Sequence, residues 1–286
     1  MQPRLTLGRL GFSLCLALAL LAVAAVPAGA QRMPDMATLD RGDGISRIGL
    51  DFGASFVDDS FDGDVALRFD LFGQFVSWQG FGVYASLPLA RSVTDGDDTT
   101  AIGNFDVGAL YVIESPVLSL VFRGGVALPT ADDDADGFFT NYFASWSRLT
   151  DAAQAIPNVT YMRLGFSPLF HANRLFLRAD VGFDLAVAEE EDNLGLAPDT
   201  LFRLNVGGGI DFGSIALMAE LVNLATTDDL NIDLGDEEED FIHTFAVSAR
   251  FMGTTMQPYV TFGMPVDTYG LDTVDFFIGA GLQARL

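Results

Sequence analysis

The stretch Asp275–Leu286, with the sequence DFFIGAGLQARL, alternates between two kinds of side chain over its whole length. One row is apolar and consists of Phe276, Ile278, Ala280, Leu282, Ala284 and Leu286. The other row is small or polar apart from Phe277. A period of two predicts a β-strand with one apolar and one polar face. Because exposed apolar edge strands invite aggregation, this strand predicts a closed barrel in which it pairs with the first strand.

Residues 1–30 have the order of a secretory signal peptide. Arg4 and Arg9 precede an apolar run from Leu10 to Val26, and the run ends in Ala28-Gly29-Ala30. This order predicts export and cleavage after Ala30. The single cysteine, Cys15, lies within this segment, so the mature chain is predicted to contain neither disulfides nor a reactive thiol.

The mature chain is strongly acidic. After residue 30 it has 13 arginines, no lysine and 39 acidic residues, a formal charge of −26. Such a surface argues against nucleic-acid binding, which requires positive charge. Hydrophobic residues make up 50% of the sequence, yet no segment after residue 30 has the ~20 consecutive apolar residues of a membrane helix. Apolar content spread as alternation behind a signal peptide is typical of a transmembrane β-barrel.

Twelve alternating segments follow one another along the chain. They lie near 44–57, 64–78, 80–91, 103–113, 117–128, 158–168, 174–187, 200–212, 214–225, 241–252, 256–266 and 274–286. The connections between them are alternately short and long, as in bacterial outer-membrane barrels with short periplasmic turns and long outer loops. The predicted fold is therefore all-β, an antiparallel up-and-down barrel of about 12 strands over 44–286, with both termini periplasmic and 31–43 as a short periplasmic segment.

The chain resembles the broad class of Gram-negative outer-membrane β-barrel proteins over residues 44–286. Members of that class end in a strand with a glycine, alternating apolar residues and a terminal aromatic. Gly281, Ala284 and Leu286 occupy the matching positions, although Leu286 is not aromatic and Ala284 is small. The resemblance implies an outer-membrane location, contact with membrane lipid and lipopolysaccharide, and recognition of the last strand by the barrel-assembly machinery.

Charged residues of the strands fall mainly on the polar row, which a membrane barrel turns toward its lumen. The predicted lumen ladder has eight arginines and eight acids: Arg47, Asp51, Arg68, Asp70, Asp106, Arg123, Arg163, Arg178, Asp180, Asp184, Arg203, Asp211, Glu220, Arg250, Asp275 and Arg285. One interpretation is a field that orients polar solutes in a pore. The other is a paired network that seals a closed interior, since charges removed from water need partners.

The long connections carry 27 acids against Arg91 and Arg148, a net charge of −25. An acidic outer mouth attracts cations and repels anions, and it could bind divalent cations that bridge to lipopolysaccharide. A solvated acidic surface is the simpler interpretation.

Two loops also have the oxygen spacing of a calcium loop, in Asp58, Ser60 and Asp62 and in Asp132, Asp134 and Asp136. Both lack the glutamate at position twelve, so weak Ca²⁺ or Mg²⁺ binding is the most that they predict, and no other cofactor is indicated.

The third loop, Pro129–Pro157, is much the longest. Its middle, from Asn141 to Ala155, can form an amphipathic helix with Tyr142, Phe143, Trp146 and Leu149 on one side. The position and length resemble the inward-folded third loop of many porins, which constricts the pore. A helix on the rim of the barrel is the alternative.

Enzyme activity has little support in the sequence. His243 lies on the predicted lipid side, where outer-membrane phospholipases also place a histidine and a serine, but Ser248 has the opposite parity and position 245 is phenylalanine. The predicted function is therefore a narrow passive channel for small polar solutes with a cation-attracting mouth. The alternative is a closed structural or surface-interaction barrel whose acidic loops bind divalent cations, lipopolysaccharide or a partner.

Overall fold

The computed structural model describes residues 34–58, 65–93, 98–189, 198–226 and 241–286. These residues form one antiparallel sheet that closes on itself, because β13 pairs with β1 and β2 pairs with both β1 and β3. The strands are β1 Arg47–Val57, β2 Val65–Val76, β3 Phe81–Val93, β4 Thr100–Ile102, β5 Phe105–Glu114, β6 Leu118–Leu128, β7 Val159–Ala172, β8 Leu175–Glu189, β9 Thr200–Asp211, β10 Ile215–Thr226, β11 Ile242–Phe251, β12 Met256–Pro265 and β13 Val274–Arg285.

The short strand β4 and the longer β5 share one place in the wall. Both pair with β3, with Thr100 opposite Arg91 and Asp106 opposite Ser86. Between them, Gly103 and Asn104 leave the ladder. The wall therefore has twelve strand positions, and the prediction of a closed twelve-strand up-and-down barrel is confirmed.

The predicted closing strand pairs with the first strand over its whole length, from Arg47 opposite Arg285 to Phe56 opposite Phe276. The apolar rows face outward, where Leu50, Leu71 and Val260 are each more than half exposed. An exposed apolar wall with a polar interior is the arrangement that a lipid environment requires. Among the described residues no helix has the length and apolar character needed to cross a membrane.

The interior is filled by two segments of the chain itself. The first is the N-terminal segment, residues 34–46, in which residues 34–40 are all buried. The second is the third loop, which folds inward as helix α1 (Ala135–Ser145) followed by a 3₁₀ helix (Trp146–Gln154). A short helix α2, Thr268–Leu271, lies between β12 and β13.

The N-terminal segment lies elsewhere than the sequence predicts. The sequence predicts a short periplasmic segment over residues 31–43, whereas the described part, from residue 34, lies among the side chains of the lumen. The physical reason is charge matching, because Asp35, Asp40 and Arg41 pair with opposite charges on the wall.

Candidate functional site

The wall contributes a ring of buried charges around the lumen. The buried members of the predicted ladder are Arg47, Asp51, Arg68, Asp70, Asp106, Arg163, Arg178, Asp180, Asp184, Arg203, Glu220 and Arg250. The side chain of Arg123 is only 8% exposed and its guanidinium lies 4.6 Å from the ring centre of Tyr84. Arg285 is partly buried at the C-terminal end of β13.

Two predicted ladder residues lie at or near the ends of their strands. Phe56 pairs with Phe276 but Val57 pairs with Val274, so Asp275 is an extra residue in a β-bulge of β13. Its side chain turns outward and is exposed. Asp211 is the half-buried last residue of β9, and its Oδ1 accepts a hydrogen bond from the Gly213 backbone N–H of the following turn at 2.6 Å. The ladder prediction is wrong for Asp275.

Asp40 connects the N-terminal segment to two strands at once. Its carboxylate accepts hydrogen bonds from Arg203 Nη1 at 2.7 and 2.8 Å, and its Oδ1 lies 3.3 Å from Arg123 Nη1. Burial alone would raise the pKa of Asp40, but the guanidinium groups of Arg123 and Arg203 lower that pKa to about 2. Asp40 therefore remains a carboxylate at neutral pH.

Asp35 and Arg41 make the corresponding contacts on other parts of the wall. Asp35 pairs with Arg47 at 2.8 Å, and its backbone carbonyl accepts a hydrogen bond from Arg250 Nε at 2.8 Å. Arg41 Nη2 lies 2.7 Å from carboxylate oxygens of both Asp51 and Asp70. The N-terminal segment thus contacts strands on opposite parts of the barrel and spans the lumen.

Glu220, fully buried on β10, binds the backbone of the same segment. Its carboxylate accepts hydrogen bonds from the N–H groups of Ala37, Thr38 and Leu39 at 3.0, 2.6 and 3.2 Å. The hydroxyl of Thr38 adds a fourth bond at 2.8 Å, and Ser248 adds a fifth at 2.9 Å. One buried carboxylate therefore orients three consecutive peptide groups.

The third loop holds the N-terminal segment from the outer side. Arg148 donates hydrogen bonds to the backbone carbonyls of Ala37 and Leu39, the second at 2.7 Å. The hydroxyl of Thr150 donates to the Thr38 carbonyl at 2.8 Å. Loop and segment therefore close the lumen as one interlocked unit.

Asp151 lies at the centre of the charge network. Its oxygens lie 2.6 Å from Arg148 and 3.2 Å from Arg163, while Arg41 and Arg68 follow at 3.6 and 3.7 Å. Burial opposes the charged form, but these guanidinium groups hold the pKa of Asp151 well below its usual value. The sequence placed this residue among the solvated loop acids, and its central position was not predicted.

Asn104, between β4 and β5, fixes both ends of the third loop. Its side-chain amide donates to the carbonyls of Ala153 and Ile156 at 3.0 and 2.6 Å. Its Oδ1 accepts hydrogen bonds from the N–H groups of Thr130 and Ala131, both at 2.9 Å. The break in the wall strand thus provides the anchor that turns the loop inward.

The four predicted constriction residues can now be placed. Trp146 and Leu149 are buried, whereas Tyr142 and Phe143 are half-buried. The inward alternative is therefore the one observed, although the helix begins at Ala135 rather than near Asn141.

Spaces within the network are the size of single water molecules. One cavity of about 20 Å³ lies between Arg41, Arg123 and Asp151, and another of about 20 Å³ lies between Asp70, Arg148 and Tyr259. A volume of roughly 10–15 Å³ already admits one water molecule. At these two places the network therefore leaves room for isolated water molecules.

The predicted cation loops are only partly described. Ser60 and Asp62 lie outside the described residues. Asp134 caps α1 by accepting a hydrogen bond from the Gly137 N–H at 2.6 Å, and Asp132 accepts one from the Ile102 N–H at 2.8 Å. Within the described ranges, no group of three or more His, Cys, Asp or Glu residues is arranged to hold a metal ion.

His243 is partly buried at the outer end of β11. Its Nδ1 lies 2.7 Å from Asn223 Oδ1, and its ring stacks on Phe241. Ser248 instead faces the lumen, where it binds Glu220. The serine and the histidine are thus on opposite faces of the wall.

No protein-family model and no curated protein matches the sequence. Several solved structures share the barrel. An outer membrane channel from Pseudomonas putida F1 has a TM-score of 0.59 and 12% identity, covering 87% of this chain and 100% of that one. The NanC porin has a TM-score of 0.53 and 11% identity, with coverages of 83% and 100%. The KdgM porin has a TM-score of 0.50 and 11% identity, with coverages of 83% and 99%. The chain therefore has the fold of outer-membrane β-barrel porins.

Proposed function

We propose that this protein is a channel of the Gram-negative outer membrane that is closed at rest by its own N-terminal segment and third loop. The observation that supports this function best is the character of the seal. The segment and the wall meet through ion pairs and hydrogen bonds, such as Asp40 with Arg203 and Ala37 with Glu220, and through the buried side chains of Met36 and Leu39. Water can replace the polar contacts when the segment leaves, so that only the apolar contacts lose their stabilisation on hydration.

The proposed solutes are small and polar. Displacement of the segment would leave a lumen lined by alternating arginines and carboxylates, and a barrel of twelve strands is wide enough to hold a water-filled passage. The outer mouth has exposed acids in Asp133, Asp136, Asp272 and Asp275. Acidic side chains there favour cations at the entrance.

The remaining parts of the proposal concern location and partners. The outward apolar wall fits membrane lipid, and the outer acids fit divalent cations that bridge to lipopolysaccharide. The last strand is proposed as the element that the barrel-assembly machinery recognises, and both termini are proposed to be periplasmic. Lipid hydrolysis is not part of the proposal, because the face of the wall that carries His243 has Phe245 where a serine would be required.

A second candidate is a closed barrel that acts through its surface. The water-sized cavities fit it as well as they fit the channel, because a permanently closed barrel and a channel at rest have the same interior. The two candidates differ in whether the N-terminal segment and the third loop can leave the lumen.

Acid should open the channel by weakening the contacts that hold the N-terminal segment in the lumen. The pKa of Asp40 is about 2 in the closed state against an ordinary value of 3.8, and the pKa values of Asp35 and Asp151 are also lowered. A lowered pKa stabilises the closed state above the ordinary value, and this stabilisation is lost as the pH falls through 3.8 toward 2. Asp40 alone contributes about 2 kcal/mol, or roughly a thirtyfold change in the open fraction.

Planar-bilayer recordings would test the channel proposal. We expect rare openings and a flat response between pH 5 and 8, followed by a steep rise in open probability below pH 4. The variant Asp40→Asn should open more often at pH 7 and respond less to acid, because residue 40 no longer titrates. A wild-type barrel that stays silent from pH 7 to pH 2.5 would favour the closed-barrel candidate.

A further inference from the structure

We infer that the outer mouth of the barrel contains a binding site for a small, uncharged and largely apolar molecule with one hydrogen-bond acceptor. The site is a cavity of about 240 Å³ between the third loop and the wall. Trp146 and Leu149 form its loop side, and Leu201, Leu224 and Ile242 form its wall side on β9, β10 and β11. This inference does not depend on whether the lumen opens.

The chemistry of the lining separates this cavity from the lumen below it. Its described lining contains no charged side chain, whereas the lumen cavities are bordered by Arg41, Arg68, Arg123 and Asp151. Transferring a charged ligand into an apolar cavity without a partner would cost several kcal/mol. The described part of the lining therefore favours neutral molecules.

The volume indicates the size of the ligand. An apolar protein cavity of about 150 Å³ is known to accept benzene. The cavity here is larger, at about 240 Å³, which suits a substituted benzene or a bicyclic ring system. A space of this size lined by aliphatic and aromatic side chains is more favourable for an apolar guest than for ordered water.

Two phenol groups supply the polar part of the site. The hydroxyls of Tyr142 and Tyr269 lie 2.8 Å apart, and both residues line the cavity. Each hydroxyl has one hydrogen and their mutual bond uses only one, so the pair retains a hydrogen to donate. Burial, together with the bond to Tyr269, raises the pKa of Tyr142 well above its usual value, which keeps the Tyr142 phenol protonated at neutral pH. Tyr269 is 53% exposed, so the pair lies on the solvent side of the cavity, where an acceptor oxygen on the ligand would meet this donor.

The cavity also lies beside the seal of the lumen. Trp146 and Leu149 belong to the same 3₁₀ helix as Arg148, which binds the N-terminal segment. A ligand bound in the cavity would therefore contact the same helix that holds the N-terminal segment in place.

Trp146 provides a direct reporter for binding. The chain has two tryptophans, and Trp78 is 91% exposed in the turn between β2 and β3, so Trp78→Phe leaves Trp146 as the single fluorophore. The probe is 4-nitrobenzyl alcohol, a neutral aromatic alcohol whose nitro group quenches tryptophan. We expect saturable quenching that is weakened at least tenfold by Ala152→Phe, which fills the cavity.

The matched control is Ala219→Phe, the same change on the lipid-facing side of β10, which should leave the dissociation constant unchanged. Ile242→Phe fills the cavity from the wall and replaces Ala152→Phe if that variant does not fold. The double variant Tyr142→Phe and Tyr269→Phe removes both phenol hydrogens, whereas either single change leaves one to donate. It should weaken binding of the alcohol several-fold but leave nitrobenzene binding unchanged. Quenching that rises linearly with the probe, or that is as strong in the cavity-filling variants as in the Ala219→Phe control, would overturn the inference.

Discussion

Deletion of residues 34–43 should turn a mostly closed barrel into one that conducts steadily at pH 7. The segment supplies Asp35, Asp40 and Arg41 to the network and three peptide N–H groups to Glu220. Without it, the third loop loses the backbone carbonyls that Arg148 and Thr150 bind. Single-channel recordings in planar bilayers would measure the effect, and the open pore should favour K⁺ over Cl⁻ less strongly as salt is raised.

The deletion should leave the barrel folded. The wall retains its complete ladder, including the pairing of β1 with β13, and the unpaired guanidinium and carboxylate groups would be solvated by water entering the lumen. A segment of equal length built from glycine and serine is the matched control, since it restores the chain length without the charges. Recordings in which the deletion and the wild type are equally silent would contradict the proposed role of the segment.

The variant Glu220→Gln should have the largest effect of any single substitution. The carboxylate accepts five hydrogen bonds, three of them from consecutive backbone N–H groups. An amide offers only one oxygen and presents its own N–H₂ group to those donors. We expect a loss of about 3 kcal/mol in docking of the N-terminal segment, which is roughly a hundredfold increase in the open fraction.

Ser248→Ala provides the control for Glu220. The serine hydroxyl donates its hydrogen bond to the same carboxylate from the wall and not to the segment, so its loss should change the open fraction only a few-fold. Equal effects of the two variants would mean that the wall, rather than the N-terminal segment, depends on Glu220.

The barrel wall could be predicted because period-two alternation is a local property of the sequence. Twelve alternating segments specify the strands, and parity specifies which side chains face inward. Asp275 departs from this rule because its bulge depends on the partner strand, where Phe56 and Val57 change register. Nothing in the sequence DFFIGAGLQARL indicates that extra residue.

What fills the barrel was less predictable, because it depends on contacts between distant residues. The N-terminal segment has no strand or helix periodicity, and its pairing with Arg203 and Glu220 spans more than 160 residues. A local signal did exist in the third loop. Asp134 fits a helix N-cap, whereas the spacing of Asp132, Asp134 and Asp136 fits the start of a calcium loop. Only the capping interpretation predicts where the helix begins.

The most direct test of the closed lumen is a crosslink between the N-terminal segment and the inner wall. A Cβ atom added at Gly207 would lie 2.6 Å from Met36 Sδ, and the predicted mature chain has no competing cysteine. In isolated outer membranes, the pair Met36→Cys and Gly207→Cys should form a disulfide on mild oxidation, detected as a mobility shift that reductant reverses. The pair Met36→Cys and Val206→Cys, with the second cysteine on the lipid-facing side of the same strand, should form none. Absence of the first disulfide, or equal yields from both pairs, would contradict a segment held inside the barrel.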